Sequence, residues 1–347
     1  AQQAARELRV AEDRVLGGLL AFLHPPHAAV AGLPFGFVAA RLGEPAAFWL
    51  WTAANVALLV VLARGLIRLF PKGPDGGAAA TALVVATALG AFFPVFLVLR
   101  EGQVALLLAV AFLGLARATA DRRDAAAAAW LLVISVKPQL LPIPIALLVA
   151  LGRPRALALA VAFGALAAAV TAAVLGPGIF ASYLRGLPSL QAYLGNGTPA
   201  GMVNLRGLMV RTLGGGADGP ALRALAFAAP VVGALALGLA WRLRRDARAR
   251  PAAACATAFA AALVLSPHLF VPDLALWAVP LALAASAADD APARRLRGFA
   301  LAWPLALAAT LAVDAWPRLF LETATGLAVV ALAWIARDGA PKPAGRC

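Results

Sequence analysis

The chain has 347 residues, 63% of them hydrophobic and 13% charged, with a net charge of +14 and a mean hydropathy of +0.87. That much apolar surface cannot be hidden inside a soluble globule, so the chain is expected to be all-α, a polytopic bundle of transmembrane helices in a lipid bilayer. Its Arg and Lys residues fall in short clusters between apolar runs and not along one amphipathic face, which excludes nucleic acid as a partner; its two cysteines, Cys255 and Cys347, offer neither a disulfide framework nor metal-ligand spacing.

The opening stretch AQQAARELRVAEDR reads as a solvated amphipathic helix, and residues 24–42 as a segment that rests on the outer surface, or dips in and returns, without spanning. Set against the ~20 residues needed to cross a bilayer, the apolar runs beyond it predict about eleven helices. They cover 45–68, 76–98, 103–118, 125–137, 138–151, 156–176, 221–241, 251–267, 272–288, 299–313 and 320–336. The two that meet at Lys137-Pro138 are short and can also be read as one kinked helix with a re-entrant piece. The organisation expected is an outer-loop and juxtamembrane part over 1–44, a transmembrane bundle over 45–176, a large outer loop over 177–220, a second bundle over 221–336 and a cytoplasmic tail over 337–347.

Orientation follows from the basic residues, because Lys and Arg are retained on the cytoplasmic side. Every second connection carries a cluster: Arg64/Arg68/Lys72, Arg117/Arg122/Arg123, Arg153/Arg155, WRLRRDARAR at 241–250, Arg294/Arg295/Arg297 and the tail with Arg337, Lys342 and Arg346. The alternate connections then face the exterior or periplasm. That assignment gathers His24, His27, Arg100, Glu101, Gln103, Lys137, Gln139, Asn204, Arg206, Arg211, His268 and Asp273 at one end of the bundle, where they can line a shared water-filled cavity. Taken singly, each has a plainer reading: His24 and His27 as interfacial residues, Arg100 and Glu101 as a solvated ion pair.

Four short patterns stand out at that end. FLHPPH, at 22–27, sets two prolines before an apolar stretch, as at a helix start. REGQVALLL, at 100–108, puts a cation, an anion and an amide where backbone N–H groups and the helix dipole favour an anion. VKPQL, at 136–140, adds a second cation at a second helix start, inside a run that is otherwise apolar. SPHLFVPDL, at 266–274, offers an imidazole and a carboxylate beside prolines that interrupt regular structure.

The stretches HPPHAAVAGLPFGFVAARLGEPAAFWLW, GQVALLL, KPQLLPIP, MVNLRGLMVRTLG and SPHLFVPDL resemble successive landmarks of glycosyltransferase family 87. The resemblance runs from about His24 to Asp273, with His24 and Pro272 standing where the family carries aromatic residues. It implies a GT-C-like integral-membrane enzyme of the inner (cell) membrane that transfers a hexosyl or pentosyl group from a polyprenyl-phosphate sugar to a lipid or polysaccharide acceptor. It also implies a first transmembrane helix, followed by an acidic residue acting as base, upstream of Ala1.

Displacing a lipid phosphate from an anomeric carbon builds negative charge on the leaving group, which fixed cations and helix N-termini stabilise without a metal. Lys137, Arg100 and Arg206 are the candidates for the donor phosphate. His268 and Asp273 are the candidates for catalysis, His268 because its ordinary pKa suits proton movement. Gln103, Gln139, Asn204, His24 and His27 are the candidates for substrate binding. No HExxH or Walker sequence occurs, LGGGADG at 213–219 reads as a loop, and no cofactor or metal is expected. The rival reading is a transporter or flippase for a lipid-linked or anionic solute, which should show an inverted repeat with matching interruptions. None is visible in the sequence.

Overall fold

The computed structural model describes residues 24–69, 85, 89, 90, 92–186, 201–213, 219–243, 251–287, 321, 323–328 and 330. All regular structure among them is helical. The expected helices at 76–98 and 299–313, the opening amphipathic stretch, the Gly-rich loop, the dense basic run and the cytoplasmic tail lie wholly or mostly outside the described residues.

Proline explains where many helices begin. α1 (Pro26–Leu42), α2 (Glu44–Ile67), α3 (Phe93–Glu101), α6 (Pro142–Ala150) and α7 (Pro154–Leu175) each carry Pro at the first or second position and none has a side-chain cap. The fixed φ of proline suits a first turn, and its missing N–H is one that a helix start leaves unpaired anyway. Such a start puts no polar cap into an apolar environment. Gly43, at φ +88°, makes the corner between α1 and α2 that a side chain would strain.

The bundle separates into a rim and a centre. α2, α7 and α9 (Pro220–Leu243) are the described helices long and apolar enough to cross a membrane singly. At 24 residues α2 is about 36 Å long, against a hydrocarbon core of about 30 Å. These helices turn Trp49, Val61, Val161, Leu166, Leu235 and Leu239 outward. Exposed apolar side chains of this kind suit a lipid surface. The centre is made by α4 (Ala105–Ala120) and α10 (Pro251–Leu265), apolar on all sides and buried on nearly all. Their rows of alanine allow close approach, and Phe112 stacks on Phe259 with ring centroids 4.5 Å apart.

Several expected spans are broken helices. α5 (Asp124–Ile134) and α6 have 11 and 9 residues, about 16 and 13 Å, so neither crosses the core alone. Between them the chain turns through Pro138–Leu140, a single 3-10 turn carrying Lys137 at its start. The two expected helices are thus present as separate short helices joined by this turn. Arg153, just beyond α6, bonds back to Asp124 at the start of α5 (2.8 Å) and to the Thr119 carbonyl (3.3 Å). The pair thus leaves and returns to one base. α3 and α4 are likewise bent by 119° at Gly102–Val104. α10 ends at Leu265, and the chain resumes as a 3-10 helix over Val271–Trp277 that runs into α11 (Ala278–Ala287).

The two ends of the bundle differ in chemistry. Arg117 reaches across to the Gly65 carbonyl at 2.6 Å, so the basic clusters near residues 64–68, 117–123 and 153–155 share one end. The breaks at 102–104, 135–141 and 266–270 share the other. The segment expected as a large outer loop is partly helical there, over 178–186 and α8 (Leu205–Leu213).

Candidate functional site

The three breaks wall a cavity of about 560 Å³. Phe93, Leu97, Phe270, Val271, Pro272 and Leu321 give it an apolar lining, and Arg100, Glu101, Gln103, Lys137 and Asp273 supply charge and hydrogen-bonding groups. Gly201 completes the described lining. Two cations thus oppose two carboxylates, and a neutral set of side chains surrounds a space the size of a small ligand.

Each polar group is placed by a chain interruption. Arg100 and Glu101 end α3, and Gly102 terminates that helix in the left-handed conformation (φ +64°), with the Gln103 N–H bonded to the Val98 carbonyl at 3.0 Å. This turn swings Gln103 into the cavity. The Trp51 indole N–H donates to the Gly102 carbonyl at 2.8 Å and fixes the corner from α2. Lys137 stands where α5 has ended and the Pro138 turn begins. Asp273 is the third residue of its 3-10 helix, and the Phe270 N–H donates to its Oδ2 at 3.2 Å.

The Lys137 ammonium donates to Asp273 Oδ1, joining residues 136 positions apart. The Asp273 side chain is 3% exposed and that of Lys137 12%. Among the described bonds Lys137 uses one of its three N–H donors. Both oxygens of Asp273 accept described bonds, Oδ1 from Lys137 and Oδ2 from the Phe270 amide.

Several other predicted site residues stand behind the wall. His24 Nδ1 lies 3.0 Å from the Val136 carbonyl, which can only accept, so Nδ1 carries the proton. Burial holds the His24 pKa below its ordinary value, with the Lys137 charge acting the same way; the Val136 carbonyl and Asp273 oppose it. His27 Nε2 is 2.9 Å from Ser135 Oγ, and because that hydroxyl gives its own proton to the Leu132 carbonyl, His27 is the donor. Both histidines therefore brace the turn before Lys137. Neither is among the described residues lining the cavity, and nor is Gln139.

A second brace joins the α8 segment to the turn after α10. The Val203 N–H bonds the Leu269 carbonyl at 2.8 Å, and Asn204 Nδ2 donates to the Ser266 carbonyl at 2.7 Å while its Oδ1 accepts from the Gly207 N–H. Arg206 is 4% exposed and points Nη1 at the Pro267 carbonyl. Arg206, expected at a donor phosphate, is not among the described residues lining the cavity. His268 packs edge-on against Phe227, with centroids 5.4 Å apart, and lies outside the described lining. Glu101 was expected at the cavity but given no role, and Gly201, Ser135 and Trp51 were not singled out. Glu101 was legible from its place beside Arg100, but a glycine or a serine in an apolar run carries no such signal. Among the described residues, no three His, Cys, Asp or Glu side chains gather as a metal site.

No curated protein and no solved structure matches the chain. The family model for glycosyltransferase family 87 matches residues 22–267, which take in the histidine brace, the α3–α4 break, the Lys137 turn, the Asn204 brace and the start of the turn that leads to Asp273. The apolar bundle and this match make the protein a membrane glycosyltransferase, and the chain belongs to glycosyltransferase family 87.

Proposed function

We propose that the chain moves a hexosyl or pentosyl group from a polyprenyl-phosphate sugar to a hydroxyl of a lipid or polysaccharide acceptor, in the cavity at the outer end of the bundle. The observation that carries this reading is a lysine, an arginine and two carboxylates brought by three broken helices to one cavity with an apolar lining. The bond between the anomeric carbon and the phosphate oxygen breaks, and a bond from that carbon to the acceptor oxygen forms. The acceptor's proton passes to a general base, and the phosphate leaves with the electron pair. Arg100 and the free N–H groups of Lys137 meet the phosphate, where they stabilise the charge that grows as the bond breaks. Gln103 and Asp273 face the sugar hydroxyls. His24, His27, Asn204 and Arg206 hold the breaks from behind, and His268 orders the turn that carries Phe270 and Asp273.

The test uses purified protein in lipid vesicles with a radiolabelled polyprenyl-phosphate sugar and a lipid acceptor. A hydrogen bond to a charged group contributes about 1.5–3 kcal/mol, so Arg100→Gln should weaken donor binding roughly 10- to 100-fold. Movement of the labelled lipid between leaflets with no transfer of sugar would favour the flippase reading and refute this one.

A further inference from the structure

Two glycines in the α8 segment have opposite surroundings. At Gly207 an added Cβ would run into the Met202 carbonyl oxygen, so the start of α8 packs backbone against backbone. At Gly201 no described atom lies within 4 Å of where a Cβ would be, and its φ is not in the left-handed range. Backbone strain therefore does not require glycine there. Yet Gly201 lines the cavity, facing the wall that carries Arg100, Gln103, Lys137 and Asp273.

The backbone beside Gly201 is held on two sides. Arg211 Nη1 donates to the Met202 carbonyl at 2.7 Å, and its Nη2 to Thr325 Oγ1 at 2.9 Å and to the carbonyl of Leu321, itself a lining residue, at 3.2 Å. On the other side, the Val203 and Asn204 bonds tie the same strip to Leu269 and Ser266. A Cβ added at this lining position would meet no described atom within 4 Å, on a backbone held in place from both sides.

We propose that Gly201 is a specificity-determining residue: its missing side chain leaves the room that the transferred sugar occupies, and residue size at 201 sets which sugar fits. The inference rests on the donor reading given above. Arg211 is the positioning residue of this wall, acting through the Met202 and Leu321 carbonyls.

The experiment compares the parent with Gly201→Ala and Gly201→Val, measuring binding of a polyprenyl phosphate without sugar and of polyprenyl-phosphate mannose and polyprenyl-phosphate arabinose. One methylene in a fitted pocket is worth roughly 10- to 200-fold in discrimination. Gly201→Val should therefore weaken binding of the mannosyl lipid at least ~10-fold, weaken the smaller arabinosyl lipid less, and leave the sugarless lipid phosphate unchanged, with Gly201→Ala in between. Equal losses for all three lipids, or no loss for any, would overturn the role of Gly201. A parent protein that binds none of the three would instead sink the donor reading itself, and the inference with it.

Discussion

The Lys137–Asp273 pair allows a prediction in which stability and function move apart. Viewed in the sequence, Lys137→Met removes a charge from an apolar run and should ease insertion. In the structure it leaves the Asp273 carboxylate, 3% exposed, with the Phe270 amide as its remaining described partner. Breaking a buried pair by removing one partner costs about 3–5 kcal/mol, whereas replacing both by apolar groups of similar size is often neutral or stabilising by about 1–4 kcal/mol. Lys137 is 12% exposed and borders a cavity open to water, so the lower end, about 3 kcal/mol, applies to the single variant.

Lys137→Met should accordingly lower the apparent Tm in detergent by several degrees, and Lys137→Met/Asp273→Leu should recover most of that loss. On the proposed function donor binding should not recover, because neither variant carries the Lys137 ammonium. Asp273→Asn, which keeps Lys137, should bind a polyprenyl phosphate as well as the parent or better. Thermal unfolding followed by intrinsic Trp fluorescence reads the first effect, and binding of a labelled polyprenyl phosphate the second. A single variant as stable as the parent, or a double variant no more stable than the single, would refute the pairing.

Gly207→Ala should fail to accumulate as a monodisperse protein or lose about 1–3 kcal/mol, the usual cost of overpacking, since its Cβ would meet the Met202 carbonyl. His24 has its pKa lowered by burial, so the folded state binds protons less readily than the unfolded one, and the stability this gives is present above the ordinary value of 6.5 and lost as pH falls below it. The Tm should then drop on acidification from about pH 7 to pH 5, and less steeply in His24→Asn, whose amide can still donate to Val136; equal slopes would remove His24 as the cause. Reporter fusions should place Arg245 and Arg346 in the cytoplasm and Asn196 outside, and Asn196 found inside would invert the sidedness of the cavity.

Hydropathy located the helices well because it measures how chain segments partition, and α2, α7 and α9 each present a whole apolar surface to lipid. The basic clusters were informative for a related reason: a charge that must stay near one surface marks the end of a helix, and the contacts of Arg117 and Arg153 gather those ends together. What hydropathy cannot separate is an apolar run that crosses from one that enters and turns back. The runs at 125–137 and 138–151 are as apolar as any span, and their shortness alone indicated that a fully crossing helix was not available.

The site was harder to read because a polar residue in an apolar chain has two possible reasons to be there. It can face a ligand, or it can satisfy backbone groups that a broken helix leaves open where no water reaches them. At these breaks several polar groups meet backbone carbonyls. The Val136 carbonyl is taken by His24, that of Leu132 by Ser135, Gly102 by Trp51, Ser266 by Asn204, Pro267 by Arg206, Leu269 by the Val203 amide, and His268 by Ser266 Oγ at 2.9 Å. Those bonds are what let three helices stop inside the bundle. They also explain why Lys137 is tolerated. A lone lysine at the centre of a lipid-facing helix would cost about 2.5–3.5 kcal/mol. Here it meets Asp273, on the wall of a cavity that neighbouring breaks keep free of lipid. Arg100, Glu101, Gln103, Lys137 and Asp273 line the cavity, and the function proposed above draws its polar groups from these.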